Sequence, residues 1–207
     1  MLHRPHLYAA VAATLALVAA PRNAHALVDV GVEAGAVTRS AEAPDALRAG
    51  AAFGAHLELA LLPLLQVGAY YLHDQHALSR AEATAPDVTF DTLGGRARLV
   101  LPIPGTSVHP YAWAGVGYGR ASYQGELTGV TTGAAARSNT VDPRLGHFLE
   151  TPIGLGVAYD TLAILRLSAE VAYRHASSFG GSAYDDAPTL TTPTSAVSML
   201  VGLSLSL

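Results

Sequence analysis

From Val197 onward, apolar and small polar residues alternate almost strictly. Val197, Met199, Val201, Leu203, Leu205 and Leu207 fall on one parity, and Ser198, Gly202, Ser204 and Ser206 on the other. A period of two marks a β-strand with unlike faces. The same alternation predicts seven further strands: Val28 to Val37, Ala51 to Leu62, Leu65 to His73, Asp91 to Leu101, His109 to Gly119, Phe148 to Tyr159 and Ala163 to Ser177, with the eighth over Ala196 to Leu207. The connections alternate in length. Thr38 to Gly50, Asp74 to Phe90, Arg120 to His147 and Ser178 to Ser195 are long and polar, whereas Pro63-Leu64, Pro102 to Val108 and Asp160 to Leu162 are short. An even number of strands joined by short turns on one side and long loops on the other is the layout of a membrane barrel.

The first 26 residues change where such a barrel belongs. Arg4 lies in a polar start, Ala9 to Ala20 is a small-apolar run, and Ala24-His25-Ala26 closes the segment. This is the three-part form of a secretory signal peptide, expected to be cleaved after Ala26. The run is shorter than the ~18 residues that span a bilayer as a helix. Residues 27–207 then form a single domain.

Composition excludes other classes. The chain has no cysteine, so no disulfide framework holds an exported fold together. Charged residues make up only 14%, and all twelve basic residues are Arg, unlike the Lys- and Glu-coated surface of a soluble domain. The net charge of −4 offers no footprint for nucleic acid. These observations point to an all-β fold: an eight-stranded antiparallel up-and-down transmembrane β-barrel with short periplasmic turns and long extracellular loops, placed in the bacterial outer membrane.

Parity alone does not say which face is inside, because a soluble lipocalin-like carrier turns its apolar face inward. The identity of the polar face favours the membrane reading. It carries Asp29, Glu33, His56, Glu58, Arg96, Arg98, Glu150, Arg166, Glu170 and Arg174, interleaved with Gly31, Gly35, Gly54, Gly94, Gly115, Gly117, Gly154 and Gly156. Glycine weakens a strand but suits a crowded lumen, and eight strands enclose a space just wide enough for side chains to fill. The charged set is expected to pair across the lumen as a polar plug in preference to lining an ion path. Leu57, Leu59, Leu93, Leu99, Val116, Ile153, Leu155, Val171 and their neighbours form a charge-free opposite face. Phe53, Tyr71, Tyr118 and Tyr173 close that face at the loop side as an aromatic girdle, with Tyr159 at the other rim. Pro152 removes a ladder donor inside strand six, where a bulge is expected.

Three segments carry a family resemblance: Val108-His109-Pro110-Tyr111-Ala112-Trp113-Ala114-Gly115-Val116-Gly117-Tyr118, Pro152-Ile153-Gly154-Leu155-Gly156-Val157-Ala158-Tyr159, and Leu167-Ser168-Ala169-Glu170-Val171-Ala172-Tyr173-Arg174. Together they resemble the small OmpA-like or porin-family outer-membrane β-barrels, in which the last residue is usually aromatic where this chain has Leu207. The resemblance implies architecture, a lipid and lipopolysaccharide environment, and assembly by the barrel-assembly machinery. It implies no activity and no cofactor.

Candidate chemistry is sparse. Gly115-x-Gly117 and Gly154-x-Gly156 lack the strand-to-helix setting of a dinucleotide fingerprint and read as interior glycines. His73-Asp74-Gln75-His76 offers two imidazoles at a loop rim, which reads as a solvated loop and not as a metal site. His175-Ala176-Ser177 resembles the His-x-Ser of the outer-membrane lipid A deacylases, eight-stranded barrels that use a Ser, a His and a Glu at an outward site. That family follows Ser with Asn where this chain has Ser178, and no acid opens the last strand, which leaves only Asp185 and Asp186 in the preceding loop. A serine hydrolase needs a third group to orient its histidine, so the expected role is non-enzymatic: envelope structure or loop-mediated binding, with a loop ligand the sequence does not identify.

Overall fold

The computed structural model describes residues 27–41, 47–77, 87–124, 144–162, 164–180 and 193–207, so the leader expected over residues 1–26 lies outside the described residues. Eight strands follow in order: β1 Val28–Ala41, β2 Gly50–Leu62, β3 Leu65–Ala77, β4 Asp87–Val100, β5 Val108–Gln124, β6 Arg144–Asp160, β7 Leu165–Gly180 and β8 Pro193–Ser206. Each pairs antiparallel with its neighbour, and β1 pairs with β8 from Asp29 opposite Ser206 to Ala41 opposite Pro193, which closes the barrel. Closure leaves no edge strand, so the ladder satisfies backbone donors and acceptors without water.

The chemistry of the two faces sets which way the strands turn. Leu93, Leu155 and Val201 are 64%, 69% and 65% exposed on the outside, whereas Glu58, Glu150 and Arg174 are fully buried in the lumen. That is the reverse of a soluble lipid-carrying barrel, which excludes the lipocalin-like alternative. Outward apolar runs from Leu93 to Leu101, Leu165 to Tyr173 and Val197 to Leu205 each cover nine residues. A tilted strand needs about 9–11 residues to cross the hydrocarbon core, so the outer face is apolar for one membrane thickness.

The strands run past that band, and always on the loop side. β1 and β3 continue four residues beyond the ends expected from the sequence, at Val37 and His73, while β4 and β6 begin four residues before Asp91 and Phe148. The reason is an inversion of pattern without a change of parity. In β4, Leu93 faces out and Thr92 in, but one step up Asp91 faces out and Phe90 in, followed by Thr89 out and Val88 in. Above the apolar band the barrel has a water-type outside, and Val88, Phe90, Ala121, Phe148 and Ala176 form an inner core.

Pro152 does not make the expected bulge. β5 pairs Ala114 with Ile153 and Gly117 with Glu150, the same register on both sides of the proline, and Pro152 stays opposite Arg174 of β7. The ladder tolerates the missing donor by leaving unpaired the short stretch between those two pairs. The register slip in β6 lies higher, between His147 and Leu149 against β7.

Candidate functional site

The lumen holds three tiers of polar side chains, each supplied by several strands, with buried groups such as Leu72, Trp113 and Leu200 packed among them. At the turn-side rim, Asp29 of β1 accepts from Arg166 Nη1 at 3.1 Å, from Ser206 Oγ at 2.9 Å and from Ser204 Oγ at 3.3 Å, and it contacts His56 Nε2 at 3.1 Å. Arg166 Nε also donates to Asp160 at 2.7 Å, and His109 Nε2 lies 2.9 Å from the same carboxylate. A cavity of about 100 Å³ opens here, lined by Asp29, Gln66, His109, Asp160 and Arg166 among others.

In the middle tier, Glu58 receives Arg96 Nε and, at 2.9 Å, Arg98 Nη1. The two guanidiniums also lie over aromatic rings, Arg96 at 5.3 Å from Trp113 and Arg98 at 4.6 Å from Tyr111. Tyr111 Oη donates to Glu170 at 2.9 Å. Glu33 is buried beside them and makes no ion pair within 4.0 Å among the described residues. The glycines of β6 make room for this tier: a Cβ on Gly154 would collide with Trp113 Nε1, and one on Gly156 would collide with Tyr111 Cζ.

The top tier is a closed quartet. Arg39 Nη2 reaches Asp74 at 2.7 Å and Glu150 at 3.0 Å, and Arg174 reaches the same two carboxylates at 2.9 and 3.0 Å. Two cations and two anions cancel, and all four side chains are fully excluded from solvent. Arg39 also lies 4.4 Å from the Phe90 ring centroid, which places an aromatic lid above the quartet. Arg39 and Asp74 were not among the expected lumen residues. Both fall in stretches whose polarity reads as loop, and the usable signal is the inward parity they share with Val37 and Leu72.

His73-Asp74-Gln75-His76 is therefore not a solvated loop but the upper end of β3. Asp74 and His76 face inward, and His76 packs edge-on against Phe90 with ring centroids 5.7 Å apart. Among the described residues, Asp29, His56 and Glu58 have metal-ligand spacing, with ligand atoms within 4.8 Å of one another. Arg96 and Arg98 already engage Glu58, and Arg166 engages Asp29, so the local charge opposes a cation.

On the outside, Phe53, Tyr71, Tyr118 and Tyr173 are about half exposed. Tyr71, Tyr118 and Tyr173 each stand two residues below the first polar outward position of their strands, His73, Arg120 and His175. His175 and Ser177 share this outer face. They pair in register with Ser195 and Thr151, and with Leu149, and no described carboxylate is hydrogen-bonded to either side chain. Asp185 and Asp186 lie outside the described residues.

With this geometry in view, the structure is similar to that of Neisserial surface protein A, with a TM-score of 0.65 at 13% identity over 89% of this chain and all of that one. It is also similar to a major outer membrane protein from Thermus thermophilus, with a TM-score of 0.54 at 16% identity over 86% of this chain and 98% of that one. The fold is that of the small outer-membrane β-barrels. Likeness to the outer-membrane enzyme PagL is weaker, with a TM-score of 0.40 at 13% identity over 86% of this chain and 99% of that one, and carries no argument about activity. No protein-family profile and no curated relative matches the chain. At these identities the barrel's architecture is what the comparisons share, and its chemistry rests on its own residues.

Proposed function

We propose that this is a non-enzymatic integral outer-membrane barrel that works as a closed scaffold, holding its loop-side end above the membrane for envelope structure or for binding through the loops. The observation that carries the reading is the quartet of Arg39, Asp74, Glu150 and Arg174: a neutral, solvent-free layer across the lumen leaves an ion no hydrated route. Export by residues 1–26, insertion by the barrel-assembly machinery and residence among lipid and lipopolysaccharide belong to the same proposal. They are supported by the leader pattern and by the nine-residue apolar bands.

A lipid A deacylase built on His175 and Ser177 is supported less well. Among the described residues no acid orients His175, and a histidine left free to take the wrong tautomer costs a serine hydrolase about four powers of ten in rate. Two measurements test the proposal together. The purified barrel should give no unit conductance in planar bilayers, and Ser177→Ala should leave lipid A acylation in an expressing strain unchanged. Stable conductance would overturn the closed scaffold, and loss of a deacylated lipid species in the variant would establish the hydrolase.

A further inference from the structure

Four outward residues at the top of the apolar band are register partners on four adjacent strands. His73 of β3 stands opposite Asp91 of β4, Asp91 opposite Arg120 of β5, and Arg120 opposite His147 of β6. With neighbouring strands about 4.8 Å apart, the row spans roughly 15 Å of the barrel wall. Directly beneath it run Tyr71, Leu93, Tyr118 and Leu149, also register partners and all exposed. The wall thus changes from hydrocarbon-facing to charged within one side-chain row.

We propose that this row, centred on Arg120, docks the phosphate of an anionic lipid headgroup in the surrounding loop-side leaflet, with Tyr71, Leu93, Tyr118 and Leu149 receiving the upper acyl chain. The site rests on the membrane-embedded reading above and deepens it. Asp91 accepts through Oδ1 from Tyr71 Oη and from His73 at 2.8 Å, and its charge attracts Arg120 across the ladder without an ion pair within 4.0 Å, so the guanidinium is held in the row with its donors unspent. Arg120, on the other side of Asp91, is exposed and has no hydrogen-bond partner among the described residues. Its guanidinium keeps five donors in a fork that fits phosphate oxygens. His147 is held next to it by stacking on Tyr118, with ring centroids 5.6 Å apart and planes 23° from parallel.

The distribution of arginine makes this position unusual. Among the described side chains, Arg39, Arg96, Arg98, Arg166 and Arg174 face the lumen and Arg48 lies in the connection before β2. Arg120 is the one described arginine side chain on the outer face of a strand. Arg120 stands one row above the apolar band, where charge complementarity favours a phosphate-bearing lipid.

The test is native mass spectrometry of the full mature chain in detergent micelles, counting adducts of phosphorylated lipid A and of the same lipid stripped of phosphate. Arg120→Gln should lower adducts of the phosphorylated lipid about fivefold, Arg120→Lys should restore part of the loss, and Arg48→Gln, which removes the same charge elsewhere, should change nothing. Equal losses in Arg120→Gln and Arg48→Gln, or no loss in either, would overturn the site. So would complete displacement of the lipid by excess inorganic phosphate, which would mark a free-anion site. Heat-modifiable gel migration of each variant keeps the readings apart, since loss of the compact form in the unaltered chain would sink the membrane-barrel reading itself.

Discussion

Arg39 and Asp74, 35 residues apart in sequence, meet at 2.7 Å with no solvent access, each shared with a second partner of the opposite charge. Neither could be buried alone, because an unpaired ion in the lumen costs several kcal/mol. Asp74 and Glu150 each touch both arginines, so the four behave as one neutral object. Arg174→Met should therefore cost about 3–5 kcal/mol, the usual penalty for stranding a buried charge. It would be seen as a lower urea midpoint for loss of the compact gel band. Adding Glu150→Leu restores neutrality around Arg39 and Asp74 and should recover most of the loss. A double variant as unstable as the single one would show that packing, and not charge balance, sets the stability.

The change of outer-face chemistry between Leu93 and Asp91 defines a boundary that can be located by charge insertion. Leu155 lies near the middle of the outward apolar run of β6 and is 69% exposed. Leu155→Arg should cost about 2–4 kcal/mol and reduce the compact form recovered from outer membranes. Thr38→Arg, on the outer face of β1 above the band, should be tolerated to within about 0.5 kcal/mol. Equal tolerance at both positions would remove the boundary.

That boundary also explains which parts of the structure were legible in the sequence. Within the hydrocarbon band the outward positions are uncharged and mostly apolar on every strand, while the inward ones carry the charges together with buried groups such as Leu72, Trp113 and Leu200, so strand order, parity, the short turns and the placement of Glu58, Arg96 and Arg98 could be read from the chain. Above it the outward positions become polar while the inward ones mix Val88, Phe90 and Phe148 with Arg39 and Asp74. A polar residue there carries no mark of its face, and the segment reads as loop. Pro152 misled for a different reason: a missing ladder donor implies a distortion, but not whether the register absorbs it.

Gly154 tests how tightly the lumen is filled. Its missing side chain makes room for the Trp113 indole, which in turn lies 6.0 Å from the Tyr70 ring. Gly154→Ala should cost about 1–3 kcal/mol by overpacking. Trp113→Phe in the same chain should return part of that loss, since residues in contact couple and do not add. Additive losses in the urea midpoints would mean that the strand, and not the indole, resists the methyl group.

Closure by β8 is the last relation that can be broken cleanly. Leu203 to Ser206 pair with Asp29 to Val32 on one side, and Leu203 to Leu205 pair with Leu165 to Leu167 on the other. Val28 and Leu207 exchange two backbone hydrogen bonds of 3.1 and 2.8 Å. Removing Leu203 to Leu207 exposes donors and acceptors on β1 and β7 within an apolar band where water cannot replace their partners. It also takes away the Ser204 and Ser206 hydroxyls that donate to Asp29. The truncated chain should lose heat-modifiable migration altogether, whereas removing five residues from the connection between β5 and β6 should leave it intact. Retained migration in the truncated chain would mean that β1 and β7 close the wall without this strand end.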